Sequence, residues 1–98
     1  MLMIPDKEIQ NFCHRWKVKE LSLFGSALRE DFRPDSDVDL LISFTEDAIW
    51  CVFDFVEMKE ELSNIFGREV DLIEKEALRN PFRRHAILYN REIIYATN

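Results

Sequence analysis

Ninety-eight residues with 47% hydrophobic and 33% charged side chains point to one folded domain over residues 1–98 and exclude a disordered chain. A formal net charge of -6 argues against direct nucleic-acid binding through phosphate neutralisation. No apolar run approaches the roughly 20 residues of a membrane-spanning helix.

The N-terminal Met-Leu-Met-Ile-Pro, followed by Asp6, Lys7 and Glu8, does not resemble a secretory signal. Cys13 and Cys51 stand outside any C-x-x-C pattern, so a reducing, cytoplasmic setting is expected. Ile9, Phe12, Cys13 and Trp16 fall at i, i+3, i+4 and i+7 and predict an amphipathic helix over residues 6–16, with Pro5 and Asp6 at its start. Residues 18–24 alternate Leu21 and Leu23 with Glu20 and Ser22, a strand ended by Gly25 and Ser26. A short helix over 27–31, a turn around Pro34 and a second strand over 37–43 follow. The next helix is expected over 50–66, with Val52, Phe55, Val56, Lys59, Leu62, Ser63 and Phe66 on one face, Glu57, Glu60 and Glu61 on the other, and Gly67 as its stop. A third strand over 68–73, a helix over 81–89 opening on Pro81, and an edge strand at Ile93-Ile94-Tyr95 complete the chain. The order gives an α/β (α+β) fold, a small β-sheet with helices packed against it.

The chemistry concentrates between residues 24 and 41. Asp37 and Asp39 lie two apart on a predicted strand, so both carboxylates share a face with Cα atoms about 6.6 Å apart, while Val38, Leu40 and Ile42 turn into the core. Neighbouring ionised carboxylates repel, and Mg²⁺, which takes hard oxygen ligands, relieves that repulsion. Asp71, between Val70 and Leu72, completes an acidic triad if its strand is a neighbour. Three such carboxylates suit a phosphoryl-transfer centre with two Mg²⁺ ions. Gly25 lets the backbone approach a phosphate, and a helix opening at Ser26 directs N–H groups to the same place. The Ser26 hydroxyl can donate one more hydrogen bond, and Arg29, a turn later, can reach a phosphate or support the acidic loop. Singly these features are commonplace, since Gly-Ser usually marks a turn and Asp-x-Asp a solvated edge or cap. Their order and spacing together are specific.

Gly25-Ser26, ten residues, then Asp37-x-Asp39 resemble the signature of the DNA polymerase beta-like nucleotidyltransferase superfamily. Chain length and Val70-Asp71-Leu72 look like its minimal branch, the MNT-domain proteins; the likeness is strongest over residues 18–73. It implies a mixed sheet in the polymerase beta-like fold, with Asp37, Asp39 and Asp71 as metal ligands and catalytic residues. Gly25, Ser26, Arg29 and Ser36 would bind the nucleotide, ATP. The resemblance further implies the antitoxin of a type VII HEPN–MNT toxin–antitoxin pair, transferring AMP from ATP to a tyrosine of an all-helical HEPN ribonuclease. Asp37 and Asp39 would hold the metal there, and Asp71 would help activate the tyrosine hydroxyl. Larger relatives carry an acceptor-binding domain, so another protein or a second copy would complete the acceptor site here. Two alternatives stand beside this reading: a module that neutralises its partner by occlusion alone, and a homodimeric, homo-oligomer-dependent enzyme for small molecules.

Elsewhere the plain readings prevail. His14 and His85 read as solvated or packing residues, Cys13 as core, and Cys51 as lacking a nucleophile's partner. Trp16, Phe82 and Tyr89 read as core. Arg79, Arg83, Arg84 and Arg91 form a basic patch, either a solvated helix face or a docking surface. Phe44, Trp50 and Phe53 flank the segment after the second strand, where an apolar partner interface is the alternative to burial.

Overall fold

The structure is a computed structural model that describes residues 4–28 and 36–97, the side chains of residues 26 and 27 excepted. The expected turn around Pro34, the end of the expected 27–31 helix, and Arg29 lie outside the described residues.

In chain order the elements are α1 (Asp6–Arg15), β1 (Val18–Phe24), a 3₁₀ turn (Gly25–Leu28), β2 (Val38–Phe44), α2 (Val52–Phe66), β3 (Val70–Glu74), a second 3₁₀ turn (Lys75–Ala77), α3 (Pro81–Tyr89) and β4 (Glu92–Ala96). The four strands form one mixed sheet in the order β3-β2-β1-β4, with β2 and β3 parallel and the other pairs antiparallel. Parallel neighbours cannot be joined by a hairpin, and α2 supplies the crossover between them. Among the described residues no helix is long and apolar enough to cross a membrane.

Alternation along the strands sorts side chains to two faces. Leu21, Leu23, Val38, Leu40, Ile42, Val70 and Leu72 pack with Ile9, Phe12 and Cys13 of α1 and Met58 and Leu62 of α2. On the opposite face Phe24 and Leu41 pack with Leu78 and with Ile87 of α3. Glu61 of α2 clasps the end of α1, pairing with Arg15 and accepting the Trp16 indole N–H at 2.9 Å. The Trp50 indole donates to the Trp16 carbonyl at 3.0 Å, and the two rings meet edge-on with centroids 5.1 Å apart.

Helix ends follow local chemistry. Asp54 accepts the Cys51 N–H at 3.0 Å at the start of α2, and Gly67 ends that helix in the left-handed region. Asn80 accepts from the N–H groups of Phe82 and Arg83, with Pro81 behind it in the first turn of α3. No comparable signal marks the 3₁₀ turn at Lys75–Ala77, which the sequence reading passes over.

Three expectations are corrected. The buried stripe of α2 runs through Phe55, Met58, Leu62 and Ile65, whereas Val52, Val56 and Lys59 point outward. That helix carries apolar residues on two sides, so spacing alone selects the wrong one. Phe82 and Tyr89 are 85% and 79% exposed rather than core. At 100° per residue they sit about 140° and 160° around α3 from Ile87, its buried anchor. The four arginines do not make one patch: Arg84 donates to the Lys75 carbonyl at 3.0 Å, Arg91 pairs with Glu20, and Arg79 and Arg83 are exposed. Phe44 and Trp50 are half-buried against the main core, leaving Phe53 exposed. His14 and His85 are exposed, their rings touching Tyr95 and Tyr89.

Leu62→Ala should cost about 2–5 kcal/mol in urea unfolding, whereas Val56→Ala should cost about 0.5 kcal/mol or less. Equal losses would restore the stripe read from spacing. Burial pushes the Cys13 thiol up to about 12, and Cys51 is exposed. Iodoacetamide at pH 8 should therefore modify Cys51 alone in the folded protein and both cysteines in urea, as read by mass spectrometry.

Candidate active site

The pairing of β2 with β3 decides which side chains meet. Their parallel register sets Asp39 opposite Asp71, flanked by the pairs Val38 with Val70 and Leu40 with Leu72. The Val38 N–H donates to the Glu69 carbonyl at 2.9 Å and fixes this register at the strand entrance. Strand neighbours lie about 4.8 Å apart, so the two aspartates stand side by side on one face. Across the antiparallel β1–β2 pair, Asp39 lies opposite Phe24. Phe24, Asp39 and Asp71 thus form a row across three strands, on the face that carries Leu41 and α3 rather than α1 and α2.

Asp37 sits one residue before β2 begins, not within it as the sequence suggests. Asp37 and Asp71 are exposed and Asp39 is half-buried. Ser36 is half-buried immediately before Asp37.

Gly25 brings the other half of the motif to the same place. It follows β1 directly, with φ +65°, a conformation that L side chains rarely adopt. A Cβ at this position would lie 2.4 Å from Asp39 Oδ2 and 3.3 Å from its Cγ. The glycine is therefore required twice, by backbone conformation and by the approach of the Asp39 carboxylate. Ser26 lies in the same 3₁₀ turn, Gly25–Leu28, which covers the start of the expected short helix, whose end is outside the described residues.

The carboxylates of Asp37, Asp39 and Asp71 are the hard oxygen donors that Mg²⁺ takes, and the adjacency of Asp39 and Asp71 favours a cation between them. Among the described residues, no three His, Cys, Asp or Glu side chains are gathered closely enough to hold a metal ion. The donor chemistry of these carboxylates is what would suit a divalent ion.

α3 supplies a wall beside this centre that no motif in the sequence marks. Phe24, Gly25 and Leu28 face Ala86, Ile87, Asn90 and Arg91 across an open cavity of about 650 Å³. Residues 86, 87 and 90 share one side of α3 at helical spacing, but only packing of α3 onto the sheet places them next to Gly25. The Asn90 amide donates to the Ala86 carbonyl at 3.0 Å, which fixes its orientation at the cavity.

Gly67, the other glycine, has φ +69° and open space where its Cβ would go. Gly67→Ala should cost about 1–2 kcal/mol of left-handed backbone strain. Gly25→Ala should cost clearly more in the same urea titration, because it adds a collision with Asp39. Equal losses would mean that the contact contributes nothing.

Residues 6–94 match the nucleotidyltransferase domain family. The protein adenylyltransferase MntA of Thermococcus cleftensis is 36% identical over 81 residues, 83% of this chain and 77% of that protein. MJ1379 of Methanocaldococcus jannaschii, whose name also places it among protein adenylyltransferases, is 35% identical over 81 residues, 83% of this chain and 79% of that one. A solved structure described as a minimal nucleotidyltransferase superposes with a TM-score of 0.70 at 29% identity, covering 88% of this chain and 85% of that one. A chain of a toxin–antitoxin complex crystallised with AMP-PNP shares the fold at a TM-score of 0.76 and 15% identity, over 97% of this chain and 76% of that one. With Gly25, Asp39 and Asp71 brought together as described, the chain belongs to the nucleotidyltransferase domain family.

Proposed function

We propose that this chain is a Mg²⁺-dependent protein adenylyltransferase, the antitoxin of a HEPN–MNT pair, which transfers AMP from ATP to a tyrosine of its helical toxin partner. The observation that carries the proposal is the close approach of the Gly25 turn to Asp39, opposite Asp71, which would bring a phosphate held at that turn to an acidic pair. Its relatives are named for protein adenylyltransfer, and its fold recurs in a toxin–antitoxin complex crystallised with a nucleotide analogue.

Each group then has a task. Gly25 and Ser26 receive the triphosphate, with the cavity toward α3 giving it room. Arg29 and Ser36 complete the nucleotide contacts. Asp37 and Asp39 would hold Mg²⁺, with Asp71 as the third ligand. When bound, the metal supplies positive charge against the phosphates and the acceptor oxygen. Asp71 accepts the proton of the tyrosine hydroxyl as its oxygen attacks the α-phosphorus. The new O–P bond forms while the bond to the β-phosphate breaks, and pyrophosphate leaves. No covalent enzyme intermediate is needed, because positioning and charge supply the catalysis.

Incubation with α-³²P-ATP, Mg²⁺ and the helical partner should place label on the partner's tyrosine. Asp37→Ala/Asp39→Ala should reduce that labelling by more than about 10³-fold with an unchanged circular dichroism spectrum. Undiminished label in the double variant would overturn the mechanism. Complex formation without label, even in the unaltered protein, would favour neutralisation by occlusion.

A further inference from the structure

At the opposite end of β2 and β3 from the aspartates lies a larger open groove of about 820 Å³. Its walls include Phe44, Trp50, Val52, Phe55 and Leu72, and among the described residues lining it the charged ones are both carboxylates, Glu74 and Glu76. The groove runs into an exposed apolar stripe at the start of α2: Val52, Phe53 and Val56 are 77%, 84% and 53% exposed, and Ile49, in the segment before the helix, is 89% exposed. Val52 and Val56 stand one helical turn apart with Phe53 beside them, an apolar ridge of the kind that packs along another helix. Beyond them along α2 come exposed Glu57, Lys59 and Glu60.

We propose that this groove and stripe dock a basic amphipathic helix of a partner protein, its apolar side on Val52, Phe53 and Val56 and its lysines or arginines against Glu74 and Glu76. The inference stands apart from the transfer reaction, since it uses none of the residues assigned to it. Two features select this occupant. A small ligand filling the groove would leave Phe53 and Val56 in water, whereas a helix covers groove and stripe together. A second copy would bring the same net charge of -6 to a groove whose charged lining residues are both carboxylates. Charge complementarity therefore asks for a cationic partner.

The test uses the full chain and two fluorescein-labelled 18-residue helical peptides, one with a leucine stripe and lysines elsewhere, the other with the same stripe and glutamates. Fluorescence anisotropy should show the lysine peptide binding at micromolar concentration and the glutamate peptide at least 30-fold more weakly. Val52→Ser/Phe53→Ser and, separately, Glu74→Gln/Glu76→Gln should each weaken lysine-peptide binding at least 10-fold. Asp37→Ala/Asp39→Ala should leave it within two-fold, which separates docking at the groove from attraction to the acidic site. Because the altered stripe residues are exposed, circular dichroism should be unchanged. Equal binding by the stripe variant, or no lysine-peptide binding at 100 µM, would overturn the proposal. So would a dimer in light scattering that Phe53→Ser dissolves, because the occupant would then be a second copy.

Discussion

The parallel pairing of β2 with β3 is the constraint on which the rest depends. A shift of one residue in that register would send Asp71 to the buried face and Leu72 toward solvent. Val38, Leu40, Val70 and Leu72 are all buried in the core shared with α1 and α2, so such a slip would lose apolar burial and bury a charge at once. The hydrophobic effect thus holds two like-charged side chains beside each other, an arrangement that electrostatics alone would oppose. The core supplies the free energy that keeps the Asp39 and Asp71 carboxylates on adjacent strands.

Gly25 extends the same logic to the neighbouring strand. Antiparallel pairing of β1 and β2 brings the end of β1 to the level of Asp39, and removal of a side chain at residue 25 lets the backbone turn close beside the carboxylate. A phosphate held at the turn would therefore lie next to the acids. The two faces of the sheet divide the labour. One is closed by α1 and α2, clasped through Glu61 and the Trp16–Trp50 contact. The other carries the aspartates and an open cavity under α3.

Most of the fold is legible along the chain, because its helices and strands carry local signatures. The apolar spacing of α1, the Gly67 stop, the Asn80-Pro81 start of α3 and the strand alternation each act over a few residues. Local pattern is ambiguous where a helix is apolar on more than one side. With apolar residues on two sides of α2, only the position of the sheet decides that Met58 and Leu62 go inward while Val52 and Val56 stay outside. Phe82 and Tyr89 are large and aromatic, but α3 is short and already anchored through Ile87, so they remain in water. Arg84 and Arg91 look like surface charge until partners distant in sequence, the Lys75 carbonyl and Glu20, are brought to them.

The site divides in the same way. By itself the sequence determined the donor types, the two-residue spacing of Asp37 and Asp39, and the glycine after β1, because these are properties of short segments and of side-chain chemistry. The tertiary structure decided that Asp71 stands beside Asp39, that Gly25 leaves no room for a Cβ against it, and that α3 walls a cavity that Gly25 also lines. Each of those facts joins residues from separate elements. Their distances are set by how the sheet orders its strands and where the helices bury their apolar faces, and no local pattern encodes that.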